Sequence, residues 1–438
     1  MKWKPSAVVL GIVAAATLAW GEFGGSYVVP LDHSAIQYAE LPVHDPVARL
    51  QQRIAAGEVK LEYSQNHGFL PAVLEALGVP KESQVLVFSK TSFQAPRIAP
   101  RLPRAIYFND AVSVGWVRGG DVLELAAVDP KQGVIFYTME QDSSSPPRFE
   151  RRDTCLQCHH SGVTVGVPGL LVRSVYPEPT GMPLFQAGSF STDHRSPLHE
   201  RWGGWYVSGT HGKQTHMGNA VVRDRQRPGV LDSRDAQNVT ELANYFDTGA
   251  YLTPHSDIVA LLMFEHQVRM TNLITRVGWE ARIAIHDDAV ISKALGRPEN
   301  ELGESALRRI HDAAEELLEY MLFTNEAPLA DPVAGVSGLA ESFAKDAPKD
   351  SKGRSLRDLD LRTRLLRYPC SYLIYTESFD GMPSVVRDRV YRRLWQVLNG
   401  EDSSEKFANL SKDDRTAILE ILRETKQGLP DYWQPARN

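Results

Sequence analysis

The sequence predicts an α+β fold: an antiparallel β meander, then a loop-rich centre, then a mainly helical C-terminal half. Three observations carry this. Between residues 84 and 137, short runs rich in Val, Ile, Tyr and Phe recur at even spacing, with turn-forming residues between them. From 162 to 185, Gly162, Gly166, Pro168, Gly169, Pro177, Pro179, Gly181 and Pro183 exclude long helices. Beyond residue 250, apolar residues return at every third and fourth position.

The elements follow in order. Residues 22–46 are polar, contain Pro30 and Pro42, and read as an extended arm. Val47, Leu50 and Ile54 predict a short helix ending near Gly57, and Phe69 to Leu77 a second one closed by Gly78. Val85–Phe88, Ala105–Phe108, Val112–Val117, Val122–Val128 and Val134–Tyr137 are the strands of the meander. Their separators, Asn109-Asp110, Arg118-Gly119-Gly120-Asp121 and Asp129-Pro130-Lys131-Gln132-Gly133, have hairpin chemistry. Trp202-Gly203-Gly204-Trp205-Tyr206 reads equally as a surface turn or as an aromatic wall of a binding site. Thr253-Pro254 opens a long apolar helix through Asn272 or beyond, with Pro254 in its first turn. Glu304 to Phe323 is amphipathic along Leu307, Ile310, Ala314, Leu317, Leu318 and Met321. Residues 324–353 read as a flexible connection, and Val385 to Leu398 and Asp413 to Thr425 as two closing helices. The chain thus divides into 1–21, 22–150, 151–250 and 251–438.

With 438 residues, 42% hydrophobic and 23% charged, the chain has the composition of a globular protein with two or three domains' worth of core. A net charge of −6 and the absence of a Lys/Arg-rich run speak against a nucleic-acid partner. Met1-Lys2-Trp3-Lys4 is a basic start, Ala7 to Ala19 is apolar, and Ala19-Trp20-Gly21 is small-residue chemistry for a peptidase cut before Glu22. This is the pattern of a signal peptide. A membrane association enters only if the segment is retained, and the run is shorter than the ~20 residues a span needs.

The most specific local signal is Cys155-Leu156-Gln157-Cys158-His159, followed by His160. Two thiols three residues apart reach the two vinyl groups on one porphyrin edge, and the next histidine is held beneath the iron. With 3 Cys and 13 His in the chain, such a pattern arises by chance roughly 0.0006 times. A thioredoxin-like dithiol needs a strand before and a helix after, and neither is written in the flanking residues. A zinc site needs a second pair, and Cys370, alone in Tyr368-Pro369-Cys370-Ser371-Tyr372, reads as a small buried hydrophobe. A disulfide across the pair leaves His159 without a role.

Over these five residues the chain resembles the c-type cytochromes. The resemblance implies one covalent haem c on Cys155 and Cys158, His159 as proximal iron ligand, and haem attachment after export. The location implied is the periplasm or cell surface, with a redox partner protein.

The second axial ligand is open. His160 is too close to His159 to reach the other haem face. His194 and His199 lie in a polar loop. His211-Gly212-Lys213-Gln214-Thr215-His216-Met217-Gly218 places imidazoles and a thioether on a glycine-flanked loop, which makes His216 and Met217 the leading candidates. His266, with His255 eleven residues before it on nearly the same helical face and Met263 and Met270 around it, is the rival. His33, His44, His67, His286 and His311 read as structural. Arg173, Arg195 and Arg201 are candidates to pair the haem propionates.

Two classes of function follow: an electron carrier with a six-coordinate iron, or an enzyme whose iron keeps an open or displaceable position, peroxidase-like or otherwise redox. A haem-based sensor or docking subunit is a third. The ~415 residues left after cleavage exceed what burying one haem requires. Mass spectrometry of the exported protein should find a chain beginning at Glu22; an intact Met1 overturns the cleavage.

Overall fold

The computed structural model describes residues 27–298 and 301–434. Residues 1–21, which the sequence reads as a signal peptide, lie outside the described residues. The fold is α+β, with a seven-stranded antiparallel sheet, a two-stranded one, and a long helical C-terminal half. Strands are β1 Val85–Val87, β2 Arg104–Phe108, β3 Val112–Trp116, β4 Val122–Asp129, β5 Gly133–Glu140, β6 Glu150–Arg151, β7 Arg173–Val175, β8 Ser189–Ser191 and β9 Trp205–Tyr206. Helices are α1 Pro46–Ala55, α2 Leu70–Ala76, α3 Leu156–His159, α4 Ile258–Leu295, α5 Glu304–Met321, α6 Leu339–Ser342, α7 Glu377–Asp380, α8 Ser384–Leu398 and α9 Lys412–Thr425.

The meander forms as its turns dictate. Asn109 Oδ1 accepts the backbone N–H groups of Ala111 and Val112, and Asp129 Oδ1 those of Lys131 and Gln132. These side-chain turns set the β2–β3 and β4–β5 registers. The order in the large sheet is β6-β5-β4-β3-β2-β1-β9. Its last member corrects the reading of Trp202-Gly203-Gly204-Trp205-Tyr206: Trp205 and Tyr206 pair with Val87 and Leu86 as an edge strand, and Trp202 is fully buried. Two residues are too few to show an alternation.

Because side chains alternate across a strand, the sheet has two unlike faces. Tyr107, Val114, Leu125, Ile135 and Tyr137 face the main core. The opposite face carries Ser113, Gly115, Glu124, Ala126, Phe136 and Thr138, in the register Gly115↔Glu124↔Thr138 and Ser113↔Ala126↔Phe136.

The helix α4 runs for 38 residues, about 57 Å at 1.5 Å each. From Ile258 to Ala284 it is buried on nearly all sides, as expected of a helix apolar all round. Its start is Asp257, not Thr253-Pro254. The Asp257 Oδ1 accepts from Val259 and Ala260 N–H, and Oδ2 from Val336 (2.6 Å) and Ser337 (2.7 Å) N–H. Pro254 and His255 therefore precede the helix, and His255 does not share a helical face with His266. Gly296, at φ +65°, closes the other end.

α5 returns antiparallel along α4, with Arg309 to Glu280 at 2.9 Å and the Tyr320 hydroxyl donating to the His266 carbonyl. Residues 324–353 are not a loose connection. Val333 and Leu339 are buried, Ala334 exchanges backbone hydrogen bonds with Thr210, and Asp257 holds the turn at 336–337. The N-terminal arm is strapped to α4, with the Tyr27 hydroxyl donating to Glu280 at 2.7 Å. One apolar cluster takes residues from Val29 to Trp433, so the regions 22–150, 151–250 and 251–438 share a core. No helix among the described residues is long and apolar enough to cross a membrane.

Asp257→Ala removes a cap and orphans two further part-buried N–H groups, and should cost about 2 kcal/mol. Urea unfolding should show a lower midpoint at unchanged m-value, partly restored in Asp257→Asn. A midpoint equal to that of the unmodified protein overturns the anchoring role.

Candidate functional site

The C-x-x-C-H segment follows directly on the edge strand β6. Asp153–Cys155 makes one 3-10 turn and α3 one α-turn, so Cys155, Cys158 and His159 follow at i, i+3 and i+4 along a compact knuckle. Cys155 is half-buried, Cys158 exposed, and both are free thiols. Cys155 and Leu156 pack, with Leu170 and Val128, on a small cluster of Ala126, Val134 and Phe136. This cluster is separate from the main core and lies on the small-residue face of the sheet. Burial pushes the Cys155 thiol up, opposite to the lowering that a reactive C-x-x-C nucleophile requires.

His159 is the best-defined group of the site. Its ring lies 4.9 Å from that of Phe136, and its Nδ1 is 2.9 Å from the Gly169 carbonyl oxygen. A carbonyl only accepts, so Nδ1 carries the proton and Nε2 keeps its lone pair. This is the state in which an imidazole binds a metal, with its other nitrogen oriented by a backbone acceptor. Burial lowers the His159 pKa and so keeps the ring neutral. His160 is spent otherwise: its Nε2 donates to the Val29 carbonyl at 3.0 Å, tying the motif to the N-terminal arm.

Beside the motif, Arg104 from β2 crosses over Gly115 of β3 to Glu124 of β4, at 2.5 Å. A Cβ at 115 would run into that guanidinium. Arg104 Nε is buried without a hydrogen-bond partner among the described residues. Arg152 donates to Thr138 at 2.7 Å on the next strand and pairs with Glu150. Where the sheet meets α4, a narrow cleft of about 20 Å³ is lined by Asp110, Ser113, Ala126, Leu170, Gln267 and Asn272 among others. Two thiols, a neutral imidazole with a free Nε2, an apolar floor of small side chains and an arginine with an orphaned N–H are chemically suited to a haem with its propionates.

The other residues expected at the site lie elsewhere. Arg201 is buried, bound to Glu265 at 2.9 Å and to the carbonyls of His194 and Ser196. Arg195 pairs with Asp193. Arg173, on β7, has its Nε buried without a hydrogen-bond partner among the described residues and its guanidinium 6.0 Å from the Phe185 ring centre. Arg201 is thus committed to the interior beside α4 and Arg195 to its pair with Asp193, and Arg104 and Arg152 lie beside the motif.

The candidate sixth ligands are committed as well. His216 Nδ1 accepts the Gly218 N–H at 3.0 Å, so the neutral ring carries its proton on Nε2 and offers no lone pair there. Met217 is buried, with Sδ accepting from the Ser174 hydroxyl at 3.5 Å. His266 uses both nitrogens, Nδ1 on His194 and Nε2 on Ser371, each at 2.8 Å. His211 donates to the Gln214 carbonyl and accepts from Asn238 N–H. Cys370 is fully buried, as its context implies. Arg104, Arg152 and the small-residue face are missed by a reading centred on the motif. Their signal is the large–small alternation Val112-Ser113-Val114-Gly115-Trp116.

His33, His286 and Asp287 are the one group among the described residues close enough to share a metal. His33 Nδ1 accepts the Ala35 N–H, so its Nε2 proton points toward Asp287, 3.6 Å away. With Arg309 also on Asp287, this is an ion-pair cluster that fastens the arm. Comparison with protein-family models, curated proteins and solved structures finds no match.

Burial holds the imidazoles of His216 and His266 down to about 3. Below the ordinary value near 6.5, the unfolded chain binds protons that the folded one refuses, so stability rises with pH across this window. Going from pH 7 to pH 5 should cost about 2 kcal/mol per histidine. Urea midpoints at both pH values measure this, with a shallower slope in His216→Asn; equal midpoints contradict it.

Proposed function

We propose that the chain is an exported monohaem c-type cytochrome, whose Cys155 and Cys158 form thioethers to one haem and whose His159 binds its iron. The observation that carries this reading is His159 within C-x-x-C-H: Nδ1–H donates to the Gly169 carbonyl and Nε2 is left as a free donor. A redox dithiol gives that arrangement no purpose; a structural zinc could use such an imidazole, but the one group of donors close enough to share an ion among the described residues is His33, His286 and Asp287. The raised Cys155 thiol and its apolar packing further disfavour the dithiol.

Haem, when bound, supplies a one-electron iron couple. The chain's own groups do the rest. Cys155 and Leu156 pack against Ala126, Val134 and Phe136, and from there would hold the group. Arg104 and Arg152 offer guanidinium groups for carboxylates, and Gly169 fixes the imidazole plane. Cys158 is exposed, which supports electron exchange with a redox partner protein at that edge. Export places attachment and function in the periplasm or at the cell surface. The open-site enzyme gains support as a second reading, because His216, Met217 and His266 are all hydrogen-bonded elsewhere.

Protein made in a host with haem-attachment machinery should keep its haem through denaturing electrophoresis, at one iron per chain. Cys155→Ala with Cys158→Ala should lose all of it. Haem that dissociates from the unmodified protein on denaturation overturns the assignment.

A further inference from the structure

Away from the motif, an open groove of about 540 Å³ runs between α5 and α8. α5 lends it Glu304, Leu307, Arg308, His311 and Asp312, at the i, i+3, i+4, i+7, i+8 spacing of one helical face. α8 lends it Arg389. Two further charged groups of its wall are already matched. Arg393 donates to Glu315 and, at 2.7 Å, to Asp402.

The other charged groups are unspent. Arg389 has its Nε buried without a hydrogen-bond partner. The carboxylate it approaches, Glu315, is 3.7 Å away and engaged by Arg393. Glu304, Arg308, His311 and Asp312 make no side-chain hydrogen bond or ion pair among the described residues. Burial and the charge of Arg389 lower the His311 pKa, which leaves a neutral imidazole able to donate or accept. A buried guanidinium N–H without an acceptor carries a desolvation cost, and an incoming carboxylate removes it.

Charge balance then restricts what can bind. Arg308 and Arg389 offset Glu304 and Asp312, so a simple anion meets two free carboxylates and a simple cation two guanidinium groups. A molecule with both a carboxylate and an ammonium meets opposite charge at each end. Leu307 gives its body an apolar contact, and the volume falls in the range of roughly 300–1,000 Å³ usual for small-molecule sites. We propose that the α5–α8 groove binds a small zwitterion of the amino-acid class, its carboxylate on Arg389 and Arg308 and its ammonium on Asp312 and Glu304. This site shares no residue with the C-x-x-C-H segment and does not depend on haem.

Isothermal titration of the mature protein tests this with three probes of one carbon skeleton. They are L-leucine, isocaproate, which lacks the ammonium, and isoamylamine, which lacks the carboxylate. L-leucine should bind at one site, at least about tenfold more tightly than either of the others, as expected when a charged hydrogen bond is lost. Arg389→Gln should bring L-leucine down to the affinity of isoamylamine. Glu304→Gln with Asp312→Asn should bring it down to that of isocaproate. Both of these acidic residues are exposed, so the double variant keeps the test should Arg389→Gln fail to fold. Failure of L-leucine to bind at saturating concentration, or equal affinity for all three probes, overturns the site. Unchanged L-leucine affinity in the double variant overturns the assignment of the ammonium.

Discussion

Burial of α4 on nearly all sides is the constraint from which the rest of the architecture follows. A helix with only one apolar stripe needs one neighbour; a helix apolar all round must be enclosed. Here α5 covers one flank, the C-terminal helices another, the hairpin end of the sheet a third, and the N-terminal arm closes over Glu280 and Arg276. Its beginning is fastened by a single carboxylate that caps the helix and holds the turn at 336–337. Several polar residues on α4 are consequently buried too and matched with partners. Glu265 binds Arg201, His266 lies between His194 and Ser371, and Asn272 bonds both backbone groups of Leu170. The last of these matters for the site, because Leu170 stands next to the carbonyl that orients His159.

The sheet contributes in a different way. Its main face is filled with large side chains and belongs to the common core. The other face has Ser113, Gly115 and Ala126 at its centre and meets α4 across a narrow cleft lined by Gln267 and Thr271. A sheet with one face on the core and one free is ordinary, but the free face is usually polar and solvated. Here the second face is largely buried and mixed, with Thr138 and the Arg104–Glu124 pair beside Ala126 and Phe136, and the C-x-x-C-H knuckle at its edge. Packing of Cys155 and Leu156 on that face is what joins motif and fold into one site.

Much of the architecture is legible in the amino-acid sequence. The hairpins from 104 to 140 can be read because alternation and turn chemistry agree, and α1, α2, α5, α8 and α9 because their apolar spacing is local. Asp257 is hidden because Thr253-Pro254 imitates a helix start, and only tertiary packing decides that the chain bends at Pro254 and caps at Asp257. β9 and residues 324–353 are hidden for a related reason: short pairings with distant partners leave no periodicity. At the site, Cys155, Cys158 and His159 announce themselves through spacing. The tautomers of His159 and His216 do not, since each depends on a backbone group that folding alone places beside the ring.

The connectivity of the site also has a kinetic side. β2 to β6 pair with one another as sequence neighbours, and the knuckle follows within a few residues of β6. Such local contacts close quickly, whereas β9 and α4 must return over more than a hundred residues to complete the core. A chain emerging N-terminus first can therefore lay down the small-residue floor and present Cys155, Cys158 and His159 on it while the enclosing helices are still unassembled. The order of synthesis leaves the widest access to the thiols early, and the later arrival of α4 with Asn272 sets the Gly169–Leu170 segment over them.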